Sequence, residues 1–479
     1  MNKTKLAVPK PFEGMPKIHC PSVYGASADC PFRYKIPATG QRPMRFHAHV
    51  PEGLHLDETS GIITGAVHAP GEYPVAVTAE NALGIDTAEL IFLIGADAVC
   101  QTPLLGWCSW NAHQHHVSQQ KVQNAASLLV QKGLSEYGYS YINIDSAWQG
   151  EYGGKWDAIQ PNERFPNMKG LCDDIHALGL KCGIYSTPFL NAWGLPDAQW
   201  GLPGCTRGEP DPRFPDGQGG IGIDRCEQNN VRQWAAWGMD YLKYDWLPCD
   251  PYNADRMKRE LLQSGRDFGF CVTVRAGLEH MDYWTKHCTS WRNNPDSTDS
   301  WDNIKNIFLS GKPWYPHLSA GHFYDMDMLE IGSMQDHACA LTEEEQIFAV
   351  SFRAFFNSPI QISCDLAKLT DFEMALLCND EIIAINQNIV FPGAACLSEH
   401  IEGDTHTELY RKPLSDDTYA LGFFNLGETA ERMSYVLDQA MCVRDSWAKE
   451  ELGVAKDSLS LLLEPHTARI VTLSPADDE

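Results

Sequence analysis

Four short runs in which apolar and polar residues alternate lie between residues 45 and 94. A period of two is typical of strands that bury one face. Turns containing Gly, Pro and Asn separate the runs, which are MRFHAHV, GIITGAV, YPVAVTA and TAELIFLI. Strands this short and closely spaced predict a small antiparallel β-sandwich, which we assign to residues 1–98.

The pattern changes after residue 102, where short β-runs alternate with helical stretches near residues 168–178, 231–237 and 254–264. The β-runs are SYINID, LKCGIYS, MDYLKYD and GFCVTVRAG. Repeated strand, loop and helix units predict a parallel sheet, and residues 99–391 suit a single (β/α)8 TIM barrel with long loops. A doubly wound sheet is the alternative, although no GxGxxG or GxxxxGKS/T motif supports a nucleotide site.

The alternating rhythm returns near the C-terminus, in TELYRKP, TYALGFFNL, ERMSYVL, SLSLLLEP and ARIVTLS. These runs predict a second antiparallel sandwich, over residues 392–479. The predicted fold class is therefore α/β, with a TIM barrel between two β-sandwiches.

The charge balance narrows the classes of partner. Lys and Arg number 37 against 63 Asp and Glu, which gives a net charge of −26 and no basic stripe. We therefore expect neither a nucleic acid nor an anionic membrane surface as partner, and a neutral small molecule fits better. The sequence carries no cofactor motif, so we expect no cofactor, and it leaves a homo-oligomer open.

The cysteines and the N-terminus bear on the compartment. Sixteen Cys residues are scattered singly without a CxxC pair or zinc spacing, and residues 1–14 have no apolar core of a secretory signal. This pattern indicates reduced thiols and a cytoplasmic protein. A secreted or periplasmic enzyme from which a signal peptide was removed is the alternative.

The carboxyl ends of barrel strands are where catalytic side chains lie in this fold. The predicted strand ends carry Asp145, Tyr185, Lys243, Asp245, Arg275, and then Arg292 and Asp296 in the following segment. The segment has no pair of His residues with metal spacing and no GxSxG elbow, so we expect neither a metal site nor a serine hydrolase. Two carboxyl groups across a cleft suit the cleavage of a glycosidic bond. An Asp at a strand end, taken alone, is more often a helix cap or the partner in a structural ion pair than a catalytic group.

Several motifs together resemble glycoside hydrolase family 27, the retaining α-galactosidases and α-N-acetylgalactosaminidases. They are spread in order over most of residues 102–475. Residues 53–81 also resemble the Ig-like domains found beside bacterial enzymes. The family 27 motifs are residues 102–111, 139–145 with Trp148, 164–166, 179–185, 241–245, 291–301, 325–329, 365–366, 382–387, 443–447 and His466.

The resemblance implies a retaining, exo-acting α-glycosidase whose substrate is an oligosaccharide or glycoside. The default activity is that of an α-galactosidase. Asp245 would be the nucleophile that forms a covalent glycosyl–enzyme intermediate, and Asp296 the general acid and then general base. Lys243 lies two residues before Asp245, so on a strand both face one side, and its ammonium would keep Asp245 ionised. The residues that would hold the terminal sugar are Trp110, Asp145, Ser146, Tyr185, Lys243 and Arg292.

Asp296 must hold a proton near neutral pH, which an apolar or like-charged setting can arrange. The neighbouring Pro295, with Trp291 and Trp301, is compatible with such a setting.

Two positions depart from the family pattern. Ser146 stands where the family has the second of two aspartates, and a hydroxyl binds a sugar hydroxyl more weakly than a carboxylate does. Arg275 stands near the position that contacts the 2-hydroxyl, and it either binds substrate or pairs with an Asp of the rim. The alternatives are therefore an α-N-acetylgalactosaminide, a β-L-arabinopyranoside, an α-glucoside or a charged sugar as substrate, and, in another class, a non-catalytic carbohydrate-binding protein.

Overall fold

The alternating runs near the N-terminus form two facing sheets. The computed structural model describes residues 4–196, 199–215, 219–390 and 392–476. One sheet has the order β2-β9-β8-β5, the other β3-β7-β6, and β1 pairs with β4. The strands are β1 (Lys17–Ile18), β2 (Val23–Ala26), β3 (Phe32–Lys35), β4 (Ala38–Thr39), β5 (Arg45–Ala48), β6 (Leu54–Asp57), β7 (Ile62–Gly65), β8 (Gly71–Asn81) and β9 (Gly84–Ile94).

Period-two burial explains this sandwich, because Val75, Val77 and Ala79 of β8 point into its core. The prediction of a purely antiparallel domain is wrong for one pair, since β2 runs parallel to β9. The pattern of one strand defines its buried face, but not the direction of its neighbour.

A closed ring of eight parallel strands forms the middle of the chain, in the order β22-β21-β20-β19-β14-β11-β10-β23. A parallel bridge between Leu329 and Ile362 joins its two ends, so the TIM barrel is confirmed and the doubly wound alternative is wrong. The strands of this region are β10 (Leu105–Cys108), β11 (Tyr141–Ile144), β12 (Gln149–Gly153), β13 (Ala158–Pro161), β14 (Lys181–Ser186), β15 (Asn191–Leu195), β16 (Gln199–Pro203), β17 (Thr206–Pro210), β18 (Gly222–Arg225), β19 (Tyr241–Asp245), β20 (Gly269–Thr273), β21 (Ser290–Trp291), β22 (Phe323–Tyr324) and β23 (Ile360–Ile362).

Helices cover the outside of the barrel and begin at polar caps, as at Ser118, Asn167 and Asp250. The three predicted helical stretches correspond to α3, α4 and α5. The helices are α1 (Ser109–His113), α2 (Gln119–Gln131), α3 (Met168–Ala177), α4 (Glu227–Trp237), α5 (Pro251–Leu262), α6 (Met281–His287), α7 (Trp301–Gly311), α8 (Glu343–Phe355), α9 (Asp371–Leu377) and α10 (Asp380–Gln387), with short 3-10 turns at Gln114–His116, Leu134–Tyr137, Leu278–His280, Tyr315–His317 and Leu366–Lys368.

Three hairpins interrupt the barrel, although the sequence predicts only a long loop there. The pair β12–β13 follows β11, and the pairs β15–β16 and β17–β18 follow β14. They extend from the carboxyl ends of the barrel strands, where active sites of this fold lie.

The C-terminal region is a sandwich of a six-stranded antiparallel sheet, in the order β24-β25-β26-β31-β28-β29, and the pair β27–β30. The five predicted runs are strands, whereas β24 and most of β29 are exposed and carry no alternation that could reveal them. The strands are β24 (Ala395–Glu402), β25 (Thr405–Pro413), β26 (Tyr419–Asn425), β27 (Glu431–Val436), β28 (Met441–Asp445), β29 (Glu450–Ala455), β30 (Ser458–Leu463) and β31 (Thr467–Pro475).

The N-terminal sandwich docks at the amino ends of the barrel strands, away from the predicted rim. Arg33 Nη1 donates to the carbonyl oxygen of His176 at 2.9 Å, and Lys35 Nζ donates to Glu136 Oε1 at 2.8 Å. The C-terminal sandwich packs on α8, where Trp447 Nε1 donates to Ser351 Oγ at 2.9 Å.

The division at residues 98 and 391 stays a prediction, and residues 1–3, 197–198, 216–218, 391 and 477–479 of the predicted domains lie outside the described residues. All sixteen cysteines are free thiols. Within the described ranges, no helix has the length and apolar character needed to span a membrane.

Candidate active site

A cavity of about 340 Å³ opens at the carboxyl end of the barrel. Its walls come from the ends of β10, β11, β14, β19 and β21 and from the hairpin β15–β16. Eight of the nine predicted site residues line it, which are Trp110, Asp145, Ser146, Tyr185, Lys243, Asp245, Arg292 and Asp296. Arg275 does not line it.

An ion pair between Lys243 and Asp145 forms one side of the cavity, with Nζ and Oδ2 2.8 Å apart. Cys108 Sγ donates to the same Oδ2 at 3.3 Å, and the amide N–H of Asp145 donates to Ser109 Oγ at 2.9 Å. The prediction that Lys243 and Asp245 face the same side of their strand is confirmed, since both line the cavity. The direct partner of the ammonium is nevertheless Asp145.

Asp245 ends β19 and has no ion-pair partner within 4.0 Å among the described residues. Burial raises the pKa of this carboxyl to about 6, although the charges of Lys243 and Arg292 lower it. Tyr185 lines the same cavity, and burial first and then the charge of Asp245 raise the pKa of the Tyr185 hydroxyl. Lys243 thus reduces the energetic cost of an ionised Asp245 without abolishing it.

Asp296 differs from the sequence-based expectation. Arg292 Nη2 lies 2.7 Å from Asp296 Oδ1, and this guanidinium is the main cause that lowers the pKa of Asp296. The expected apolar setting is wrong, because Trp291 packs against Trp314 and Trp301 stacks on His466. The Asp296 side chain is instead 81% exposed at the cavity mouth.

Arg292 holds three groups of the rim together. Its other guanidinium nitrogens donate to Asp327 Oδ2 and to Thr273 Oγ1, and its side chain is almost wholly buried. Asp327 also accepts from the amide N–H of Ser297, at 2.7 Å. The loop that carries Asp296 is therefore fixed to both neighbouring strands by charge-assisted hydrogen bonds.

Ser146 lies under the hairpin β15–β16, and its hydroxyl donates to the carbonyl oxygen of Trp193. Since a hydroxyl has one proton, Ser146 can only accept a hydrogen bond from a sugar hydroxyl in this arrangement. The rings of Trp193 and Trp200 lie 5.5 Å apart, and Phe189 lies 5.8 Å from Trp200. These three rings form an aromatic wall above Ser146.

Arg275 lies beyond the strand on which the sequence placed it, because β20 ends at Thr273. Its side chain is exposed, and it makes no hydrogen bond or ion pair with any residue in the described part of the chain. The expectation that it pairs with an Asp of the rim is therefore wrong.

Sequence reasoning missed several residues of the cavity and its support. The aromatic wall lies on a hairpin with no strand-like alternation, whereas Asp327 could have been found by applying the strand-end rule to β22 as well. Asn111 lines the cavity and donates from Nδ2 to Glu330 Oε1. Burial and then the charge of Asp327 raise the pKa of Glu330 to about 8, so Glu330 holds a proton near neutral pH.

The arrangement suits two-carboxylate chemistry. Asp245 is a partly buried carboxylate with two cations nearby, and Asp296 is an accessible carboxyl on the same cavity. Asp145 and Asp327 are already held by Lys243 and Arg292. A carboxylate that attacks and a second that transfers a proton are what a retaining glycosidase needs.

A family model described as alpha galactosidase A matches residues 102–199 and 216–388, more than half of the chain. The chain belongs to the alpha galactosidase A family. It is a glycoside hydrolase, and the resemblance inferred from the motifs is confirmed. An Ig domain model matches residues 16–94, and the alpha galactosidase C-terminal beta sandwich domain matches residues 404–473.

Relatives within the family cover most of the chain. Alpha-galactosidase 2 of Arabidopsis thaliana is 32% identical over 390 residues, which are 78% of this chain and 89% of that protein. Alpha-galactosidase A of Cellvibrio japonicus is 30% identical and covers 79% of this chain and 93% of its own. A crystal structure from Bacteroides fragilis superposes with a TM-score of 0.84 at 28% identity, over 98% of this chain and 100% of that chain.

Proposed function

We propose that the protein is a retaining, exo-acting α-galactosidase that releases terminal α-linked galactose. One observation carries the proposal: Asp245 and Asp296 line a single cavity at the carboxyl rim of a barrel of the alpha galactosidase A family. The substrate class follows the relatives, because the curated matches from Arabidopsis thaliana and Cellvibrio japonicus are named as alpha-galactosidases.

In the first step, a carboxylate oxygen of Asp245 attacks the anomeric carbon as the bond to the leaving oxygen breaks. Asp296 gives its proton to that oxygen, so the aglycone departs as a neutral alcohol and Asp245 becomes a glycosyl ester. Lys243 and Arg292 supply positive charge near Asp245 and lower the cost of holding it ionised.

The reactive form needs one proton on Asp296 and none on Asp245. In the sugar-free site, the Arg292 ion pair and the burial of Asp245 favour the opposite distribution. The reactive form is therefore a minor tautomer of the singly protonated pair. A sugar in the cavity excludes water from Asp296, and this desolvation favours its neutral form.

The second step reverses the roles of Asp296. Ester formation removes the negative charge of Asp245, and Asp296, now an anion paired with Arg292, takes a proton from water. The hydroxide attacks the anomeric carbon from the face that the aglycone left, which frees Asp245 and returns the sugar with retained configuration.

The cavity walls support action at a chain end. Asp145, Ser146 and Lys243 offer polar groups for sugar hydroxyls, and Trp110 offers an aromatic surface. The hairpin β15–β16 covers Ser146 at one end of the cavity, whereas Asp296 is exposed at its mouth. An exo-acting enzyme fits this shape.

Two measurements test the proposal. NMR during hydrolysis of an aryl α-galactoside should detect the α anomer of galactose first, and a slowly hydrolysed fluorinated galactosyl donor should label Asp245 in a peptide digest. First appearance of the β anomer, or label on another residue, would contradict the mechanism.

The role of Asp296 is tested by leaving-group dependence. Asp296→Ala should lose about 10²–10⁴-fold in kcat/KM on a poor leaving group such as an alkyl α-galactoside, because no acid protonates the departing oxygen. It should lose far less on 2,4-dinitrophenyl α-galactoside, whose leaving group needs no proton. Equal losses on both substrates would show that Asp296 is not the acid.

A further inference from the structure

Arg275 is an unpaired cation beside the mouth of the cavity. It is exposed and finds no carboxylate partner within 4.0 Å among the described residues, in a chain with 63 acidic and 37 basic residues. The two other cations at the site are engaged, Lys243 with Asp145 and Arg292 with Asp296 and Asp327. Arg275 is thus the cation near the cavity that is free to bind something else.

The position of Arg275 is set by its neighbours. Val274 lines the cavity, Thr273 Oγ1 accepts a hydrogen bond from Arg292, and the amide N–H of Ala276 donates to the carbonyl oxygen of Arg292 at 2.9 Å. Arg275 itself has a φ of 60°, a left-handed conformation that costs a non-glycine residue free energy. Such conformations are typical of ligand-binding loops.

The segment of Arg275 lies next to the residue that holds Asp296, because the amide N–H of Ala276 donates to the carbonyl oxygen of Arg292. Asp296 protonates the oxygen between the sugar and the aglycone, so the aglycone begins next to Asp296. The charge of Arg275 reaches this carboxyl, because it contributes, after the larger effect of Arg292, to the low pKa of Asp296. An aglycone that leaves the cavity at Asp296 therefore passes within electrostatic reach of the Arg275 guanidinium.

We propose that Arg275 binds a carboxylate or another anionic group on the aglycone. The preferred substrates would then be α-galactosides whose aglycone carries a negatively charged group. This inference rests on the proposed function and specifies its substrate. The planar guanidinium offers paired N–H donors that match a carboxylate. An anion at Arg275 would also offset a positive charge that opposes protonation of Asp296, and so favour the acid form that bond cleavage needs.

A matched pair of substrates tests the inference. 3-Carboxyphenyl α-galactoside and its neutral 3-carbamoyl analogue have the same shape and differ in charge, and comparison across enzyme variants cancels their different leaving groups. The measured quantity is the ratio of kcat/KM for the acid to that for the amide. Arg275→Gln should lower this ratio by about fivefold, as expected for one charge-assisted contact.

Two variants act as controls. Arg275→Lys keeps the charge and the same Cβ at the left-handed position, so it should retain most of the preference. Lys286→Gln removes a cation from the exposed surface of α6 and should leave the ratio unchanged. Added salt should lower the preference of the unmodified enzyme, because salt screens an exposed ion pair.

The outcomes separate this inference from the proposed function. Hydrolysis of the amide analogue by the unmodified enzyme tests the α-galactosidase activity by itself. If that activity is present and Arg275→Gln changes kcat/KM for both substrates by the same factor, Arg275 contacts the sugar or only shapes the loop, and the inference is wrong.

Discussion

The two ends of strand β19 carry carboxylates in opposite situations. Asp240, which immediately precedes the amino end, accepts from Arg266 Nη2 at 2.5 Å, from His176 Nε2 at 2.8 Å and from the amide N–H of Cys182 at 2.9 Å. Burial alone would raise its pKa, but the bond to His176 and the charge of Arg266 lower the pKa below the ordinary value. At the carboxyl end, burial raises the pKa of Asp245 to about 6, without an ion-pair partner among the described residues.

This difference separates a residue that stabilises the fold from one that does the chemistry, although the two lie only five positions apart. The ionised form of Asp240 stabilises the fold above the pKa that an unfolded Asp has, and this contribution is lost as the pH falls. Asp245 has a raised pKa, so its ionised form destabilises the fold at neutral pH. At neutral pH the two carboxylates therefore affect the stability of the fold in opposite directions.

The largest effect is expected from Asp245→Ala, which should lower kcat by about 10⁴-fold or more because no nucleophile remains. The free energy of unfolding, measured by urea denaturation, should stay equal or rise, since a costly buried charge is removed. Asp282→Asn, on the exposed surface of α6, is the control and should retain full activity. Near-normal turnover by Asp245→Ala would refute its assignment as nucleophile.

Asp240→Asn should have the opposite effects, with a loss of stability and little change in kcat. Arg266 would lose its buried carboxylate partner, so the free energy of unfolding should fall by about 3–5 kcal/mol. The kcat of the folded fraction should remain near that of the unmodified enzyme, because Asp240 lies at the other end of the barrel. Loss of turnover in fully folded Asp240→Asn would contradict the assignment of Asp240 to stability alone.

The pH profile sharpens the comparison at Asp245. The reactive state carries one proton on the Asp245–Asp296 pair, so kcat/KM should fall about tenfold per pH unit once the pH exceeds about 6, where the pair loses that proton. The pKa of Asp240 is low, so Asp240→Asn should leave this alkaline limb in place. A profile that stays flat from pH 6 to 8 would contradict the raised pKa of Asp245.

The two ends also differ in what the sequence could predict. The run YLKYD contains the strand, the shared face of Lys243 and Asp245, and the strand-end position, and these follow from the period of two and from the barrel fold. Trp110 and Ser146 were predicted from the family resemblance, whereas the strand-end rule also located Asp145, Tyr185, Arg292 and Asp296 on the cavity. These features are local, and simple periodicity is enough to find them.

The protonation states could not be predicted in this way. Asp296 was expected in an apolar setting because Trp291 and Trp301 are near it in sequence, but both rings turn into other contacts. Its actual partner, Arg292, is four residues away, and Arg292 is held by Asp327 from the next strand. Arg266 and His176, which hold Asp240, likewise come from distant segments. The pair of Asp296 and Arg292 is local, but Asp327, which holds Arg292, and the partners of Asp240 come from other segments, and the pattern of one strand does not reveal them.

A neutral group of the rim should show the smallest effect. In Ser146→Ala, the carbonyl oxygen of Trp193 loses a donor, which should cost about 1 kcal/mol of unfolding free energy. KM for an aryl α-galactoside should rise by a few-fold, since one acceptor for a sugar hydroxyl is lost, whereas kcat should change little. Ser434→Ala, at an exposed hydroxyl pair of the C-terminal sandwich, is the matched control and should leave KM unchanged. A large fall in kcat for Ser146→Ala would mean that turnover needs this neutral hydroxyl as well as the Asp245 carboxylate. The contrast between Asp240 and Asp245 would then not account for the catalytic role of the rim.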